Sequence, residues 1–417
     1  MGMTMIEKIL ARAAGLPKVV PGDIVTVDVE TTVVIDQNFM HNRMRQPKKV
    51  PDPDKIVIML DHIAPADTPM RANMHKAARR FADKQGIVRF HDVNDSLGIC
   101  HQLVADFGYA IPGTVLACVD SHTCSAGAFN CAARGIGHPE MAYVLATGTT
   151  WYPVVDTVRY QFVSQLPPVL NGKDVILHIA NTYGDHAMQN VEFVGPGVAS
   201  MSMNTRRTIA TMCAEISTEF AVFEADEICI EHIRSRNPQA RFEPQYADDD
   251  AVYSDSRVID LGQMEPLVAL PDTVVENAVP VGEAGGVRID QAFMGSCANG
   301  TLDDFKVAAK IVKGKKVAPG TRFIVTPGSQ QVMLEATRLG YVEDLLAAGA
   351  IVTNSTCGAC CGYSNGVLGA GEVCVTASTR NFKGRMGSPD ASIYLASPAT
   401  VAASAIAGYI ADPRGMV

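Results

Sequence analysis

Val115-Leu116-Ala117-Cys118-Val119 runs straight into Asp120-Ser121-His122-Thr123, and this junction sets the reading of the rest of the chain. A short, continuously apolar, β-rich run reads as a strand buried on both faces, as parallel sheets require. The abrupt change to hydrogen-bonding residues marks the carboxyl end of that strand, where open α/β sheets bind ligands. The same pattern recurs. Ile56 to Leu60 leads into Asp61-His62, Phe323 to Val325 into Thr326-Pro327-Gly328-Ser329, Ala350 to Val352 into Thr353-Asn354-Ser355, and Val373 to Val375 into Thr376 to Arg385. Between such runs, Ala128 to Arg134, Pro139 to Ala146, Asp303 to Val312 and Gln330 to Leu339 read as helices, as does an amphipathic opening turn around Ile6, Ile9 and Leu10 stopped by Gly15. The fold class is α/β, built from crossover units.

Composition bounds the function. With 417 residues, 47% of them hydrophobic and 19% charged, the chain can fill several cores and is not a disordered scaffold. The 35 basic and 44 acidic residues leave a net charge of −9, so no basic field exists for a primary nucleic-acid binder. The uncharged stretch Ala391 to Ala411 is long enough to span a bilayer. Its alanines, Ser397-Pro398, Thr400, Ser404 and Gly408 instead fit a strand followed by a helix. Glu7 and Lys8 interrupt the N-terminal apolar pattern, which argues against a secretory signal and for the cytoplasm. Eleven scattered cysteines are not a disulfide framework. No fixed-period repeat is present. Three segments are expected, 1–150, 151–275 and 276–417, with Arg234 to Asn277 as a solvated connector.

Several groups could carry chemistry. Cys297 follows the expected strand Ile289 to Phe293, in Gly295-Ser296-Cys297-Ala298-Asn299, and Cys357-Gly358-Ala359-Cys360 forms a C-x2-C with Cys361 adjacent. Small neighbours let backbone N–H groups approach sulfur. Three thiols are one short of the set that closes a structural zinc or iron–sulfur site, which leaves a metal position open for catalysis. By itself the C-x2-C is as readily a redox dithiol. Asp61 beside His62 can fix the imidazole tautomer and favour its protonated form, making a general acid. An isolated Asp-His pair is more often a cap or a surface pair, and Asp120 and Thr123 can equally cap the next helix. His101 alone would be a satisfied core histidine, and Glu192 an ordinary strand glutamate. Arg380 and Arg385 could grip carboxylates with their forked guanidinium groups, or simply form a solvated basic turn. Taken together, the His and Asp groups at strand ends suggest one acid–base site.

In this order, Asp61-His62, Gly98-Ile99-Cys100-His101-Gln102, Asp120-Ser121-His122-Thr123, Gly295-Ser296-Cys297-x-Asn299, Cys357-x-x-Cys360 and Arg380-Asn381-Phe382-x-Gly384-Arg385 resemble the aconitase superfamily. Within it the chain is similar to the large subunits of the 3-isopropylmalate dehydratase group. The resemblance implies three α/β/α domains of the aconitase type around a central cluster, without the fourth, swivel domain. It implies that Cys297, Cys357 and Cys360 ligate a [4Fe-4S] cluster with one iron not ligated by protein. Asp61, His62, His101, Asp120, His122 and Glu192 would be acid–base and hydrogen-bonding residues, Arg380 and Arg385 would bind substrate carboxylates, and Asn299 would lie beside the cluster. Only residues 386–417 follow Arg385. The resemblance therefore also implies a separate small subunit that carries the swivel domain and a serine base.

The implied reaction is dehydration and rehydration of a hydroxy-dicarboxylate or tricarboxylate, with 3-isopropylmalate of the leucine pathway as first substrate. Departures leave alternatives. Thr379 stands where relatives have Asn, Ala298 where Thr is usual, and Val27 to Asn42 lacks a histidine-rich pattern. A 2,3-dimethylmalate, citramalate or homoaconitate enzyme fits these changes. From other classes, a dithiol redox protein would not need Cys297, the His cluster or the arginines, and a zinc protein would need a fourth protein ligand. A nicotinamide dehydrogenase lacks its Gly-x-Gly-x-x-Gly fingerprint.

Overall fold

The structure is a computed structural model of the chain that describes residues 2–40 and 43–416. The end of the segment Val27 to Asn42 lies outside them. Residue contacts divide the chain into two units assembled from alternating segments. The first takes residues Met1–Asn94, Leu103–Ser164 and His186–Asp260, and the second takes Asp95–Gln102, Gln165–Asp185 and Leu261–Val417. The short piece that carries His101 thus groups with the C-terminal part of the chain.

In the first unit, five parallel strands lie in the order Phe90–His91, Ile56–Met59, Thr31–Ile35, Val115–Cys118, Ala132–Gly135. Ile56–Met59 and Val115–Cys118 are buried at every position, as a sheet covered on both faces demands. A second sheet of four parallel strands runs Ala221–Phe223, Gln189–Val194, Asp156–Val163, Asp255–Asp260. Ile24–Asp28 and Thr149–Pro153 form an antiparallel ribbon. The opening helix, Met5–Ala13, starts on a capping box. Thr4 Oγ1 accepts from the Glu7 N–H, and Glu7 Oε2 accepts from the Thr4 N–H.

The second unit is one seven-stranded sheet: Ala278–Pro280, Leu267–Ala269, Ser392–Ala396, Val373–Thr376, Gln291–Met294, Arg322–Val325, Ile351–Val352. Leu267–Ala269 is antiparallel to both neighbours and the other pairs are parallel. The stretch Ala391 to Ala411 is indeed a strand and a buried helix, Pro398–Ala407. Among the described residues no helix is long and apolar enough to cross a membrane.

Two expectations fail. Ala128 to Arg134 is not a helix. A 3-10 stretch, Ser121–Phe129, ends at Asn130 with φ +58°, and Ala132–Gly135 pairs with Val115–Cys118. Alanine's helix propensity yields here to a parallel ladder. The connector Arg234 to Asn277 contains two sheet strands, Asp255–Asp260 and Leu267–Ala269. The first was hidden because it is an edge strand with only Ile259 fully buried, so its sequence carries almost no apolar pattern.

Candidate active-site residues

The first unit gathers an acid–base network at the carboxyl ends of its five-stranded sheet. His62 follows the strand Ile56–Met59 and is 6% exposed. Its Nδ1 lies 2.9 Å from Asp61 Oδ1, and its Nε2 lies 3.1 Å from Asp120 Oδ2. Ionised carboxylates only accept hydrogen bonds, so a ring flanked by carboxylates on both nitrogens is best satisfied when doubly protonated and positive. Asp120 has two tasks. Its Oδ1 caps the following turn through the His122 N–H at 2.8 Å, while its Oδ2 faces His62. The capping alternative and the catalytic one therefore use different oxygens of one carboxylate. His122 Nε2 in turn meets Glu215 Oε1 at 2.8 Å.

Glu192 is held elsewhere. It is fully buried in the strand Gln189–Val194, where its carboxylate accepts from the Ile6 N–H at 2.9 Å and the Tyr253 hydroxyl at 2.9 Å. Burial pushes it up to about 7 against those two bonds. These two contacts brace the sheet against the N-terminal helix, and neither is to a histidine. Glu215, in Cys213-Ala214-Glu215-Ile216, is the carboxylate that does join the network, and the sequence reading passed over it. Its signal was a lone acid on an apolar turn, no stronger than that of Glu192.

The second unit assembles the thiols. Cys297 sits in the short helix Ser296–Asn299 directly after the strand Gln291–Met294. Ser296 adopts φ +77°, a strained conformation for a residue with a Cβ, which re-aims the chain at the thiol. Gly300 cannot be larger. A Cβ there would lie 2.8 Å from both the Gly328 nitrogen and the Thr326 oxygen, so this loop packs backbone against backbone. The side chains of Cys297, Cys357 and Ile99 form one buried cluster, with Cys361 packed against it. Ile99 arrives because its N–H donates to the Gly328 carbonyl at 2.8 Å and Gly98 bridges Ser329. His101, 5% exposed, follows two residues later.

Cys360 is 3% exposed, with its sulfur 3.8 Å from Thr379 Oγ1 and 3.9 Å from Arg385 Nη2. Burial works against the Arg385 charge, and the sulfurs of Cys360, Cys361 and Cys357, where ionised, would raise its basicity above the ordinary value. Arg385 therefore faces the thiols, stacked 5.7 Å over the Phe382 ring, rather than standing in a solvated turn. Arg380 is half-buried one residue beyond Thr379. The backbone between them and the sheet is tied by Lys173 Nζ on the Ser378 carbonyl at 2.6 Å and by Asn381 Nδ2 on the Leu270 carbonyl at 2.6 Å.

The family model described as "Aconitase family (aconitate hydratase)" matches residues 18–286 and 280–408. The 3-isopropylmalate dehydratase large subunit of Mycolicibacterium smegmatis is 54% identical over 417 residues, which is 100% of this chain and 98% of that one. A probable methanogen homoaconitase large subunit of Methanothermobacter thermautotrophicus is 40% identical, covering 99% and 98%. A 3-isopropylmalate dehydratase large subunit of Methanopyrus kandleri is 41% identical, covering 99% of each. The chain belongs to the aconitase family. With the family comes the reaction class, that of a hydro-lyase.

Aconitase-family enzymes carry a [4Fe-4S] cluster, and the second unit has the chemistry to receive one. Thiolates are the ligands such clusters use. Around them lie Ala298, Gly358 and Ala359, which keep the backbone close, and buried polar atoms that no protein group satisfies, Ser296 Oγ and Asn299 Oδ1. Asn299 is held in one orientation because its Nδ2 donates to Asp304 Oδ1 at 3.2 Å. Its unsatisfied carbonyl must therefore point away from Asp304. Arg385 Nη2, 3.9 Å from the Cys360 sulfur, places a positive charge at the edge of this thiol set.

Proposed function

We propose that this chain is the cluster-bearing large subunit of a two-subunit hydro-lyase that dehydrates and rehydrates a substituted malate, with 3-isopropylmalate as its first substrate. The observation that supports this most directly is the pairing of Cys297 with Cys357 in one buried cluster, with Cys360 under the Arg385 guanidinium. Cys297, Cys357 and Cys360 would hold the [4Fe-4S] cluster and leave one iron without a protein ligand. When bound, that cluster supplies Lewis-acid polarisation of a hydroxyl and a carboxylate.

The chain's own residues do the rest. His62 is the general acid. Its Nε2–H, held against Asp120, donates a proton to the hydroxyl as the carbon–oxygen bond breaks, and the hydroxyl leaves as water. Asp61 keeps the other proton on Nδ1, so the ring presents a fixed edge. His122 and Glu215, with Asp120, form the adjoining hydrogen-bonded reservoir, and His101, two residues after Ile99, would add a further hydrogen-bonding group. Arg380 grips a substrate carboxylate, and Asn299 stands beside the cluster. The base that removes the proton from the neighbouring carbon is the task of a separate small subunit.

Anaerobic purification with iron and sulfide analysis tests the cofactor, and assay with a co-expressed small subunit tests the reaction. A brown chain approaching about four irons, active on 3-isopropylmalate, supports the reading. A colourless chain after anaerobic reconstitution removes the cluster. A panel of 3-isopropylmalate, 2,3-dimethylmalate, citramalate and homoaconitate then decides the substrate.

A further inference from the structure

The segment with the altered sequence, Val27 onward, ends its strand in Ile35-Asp36, and the fold gives that aspartate a specific neighbour. Strand Thr31–Ile35 lies parallel to Ile56–Met59, with Ile35 opposite Met59. The register sets Asp36, one step past the sheet, beside the loop that begins Leu60-Asp61-His62. Asp36 is fully buried. Its Oδ2 accepts from the Ile63 N–H at 3.0 Å, which ties it to the residue directly after His62. Its Oδ1 lies 3.9 Å from His62 Nδ1, the same nitrogen that Asp61 holds at 2.9 Å. Oxygen and nitrogen atoms of Asp36, Asp61 and His62 all fall within 4.8 Å of one another.

At 3.9 Å, Asp36 is too far for a hydrogen bond and near enough for its charge to act. Its Oδ1 has no hydrogen-bond partner, an arrangement that burial penalises unless a cation lies close. On the far side stands His75, from the helix Pro69–Gln85, 3% exposed, with Nε2 3.8 Å from Asp36 Oδ2. The groups facing this imidazole pair from each packed element are Asp36, Asp61, Asp120 and His122, with Glu215 behind His122 and Asp92 near His75. Four of these six are aspartates. Asp61 and Asp120 contact the ring directly, whereas Asp36 reaches it only through space and through the backbone.

We infer that Asp36 is a positioning residue for His62: it fixes the backbone behind the imidazole through Ile63, places a second carboxylate charge on the Nδ1 edge, and is steadied by His75. This rests on the acid role assigned to His62. The charge keeps the ring in its donating form while Asp61 sets its angle. His75 lets the carboxylate remain ionised in a buried place.

The test is Asp36→Asn in the complete enzyme, with its partner subunit and reconstituted cluster. Asparagine keeps the shape and can still accept from the Ile63 N–H, but carries no charge. An acid that must be protonated loses activity as pH rises. Removing a neighbouring negative charge therefore moves the high-pH limb of kcat in the dehydration direction to lower pH, by about one unit. A limb that stays in place, with or without a lower kcat, overturns the inference. Nitrogen NMR of the His62 ring in the unmutated chain gives a readout that needs neither catalysis nor a foldable variant. Protons on both ring nitrogens at pH 7 are expected, and a neutral ring there overturns the inference. His62→Ala separates the two readings. If its rate is unchanged, the acid role fails, while the comparison of His62 ring titration with and without Asp36→Asn still decides what Asp36 does.

Discussion

Replacing Glu192 by Gln changes stability in a pH-dependent way. The carboxyl is fully buried, and burial raises it from an ordinary 4.5 to about 7 despite bonds from the Ile6 N–H and the Tyr253 hydroxyl. Glu7, buried on the facing helix and itself shifted upward by burial, adds a like charge. For a carboxyl raised in the folded state, the sign is fixed. Below about 4.5 it is protonated in both states and has no effect. Between 4.5 and 7 the unfolded chain releases a proton that the folded chain keeps, so folding stability falls as pH rises. One pH unit is worth about 1.4 kcal/mol, so this amounts to roughly 3 kcal/mol by pH 8. Glutamine can still accept from Ile6, and its amide can turn toward the Tyr253 oxygen, so the variant escapes the loss. Urea unfolding of both chains at pH 5 and pH 8 measures it. The variant should gain on the parent between the two pH values, by about 2.5 kcal/mol, since part of the loss is already present at pH 5. A difference that is the same at both would show that Glu192 is not a buried acid held near neutrality, and the reasoning would be wrong.

Two further outcomes follow from the thiol-bearing unit. Gly300→Ala places a Cβ 2.8 Å from backbone atoms of Thr326 and Gly328, which cannot swing aside. It should cost about 1–3 kcal/mol and lower the iron retained per chain, read by urea midpoint and iron analysis; an unchanged midpoint would mean that the loops are not in register. Arg385→Gln removes the cation 3.9 Å from the Cys360 sulfur, so the reconstituted chain should retain less iron, read by iron and sulfide analysis. Unchanged iron content would mean that the guanidinium does not support the thiol site.

Particular residues show which inferences a sequence allows. Ile56–Met59 and Val115–Cys118 were legible because a strand covered on both faces must be apolar throughout. Asp255–Asp260 was not legible, because an edge strand is held by backbone bonds to one neighbour and its side chains are largely free to be polar. Ala132–Gly135 misled for the opposite reason. Its alanines favour a helix locally, and the ladder to Val115–Cys118 overrides them.

The same division holds at the site. Chain order alone established the α/β class, the thiol motif, the Asp61-His62 pair and the family, because these depend on residue type at short spacing. It could not tell Glu192 from Glu215, since each is one carboxylate among apolar neighbours. Only packing decides that one carboxylate braces the N-terminal helix while the other meets His122. Nor could it show that Arg385 faces a thiol, or that Asp36 stands behind His62. Those pairings join residues from different strand ends. They are set by sheet register and loop packing, which are properties of the folded chain and not of any single stretch of it.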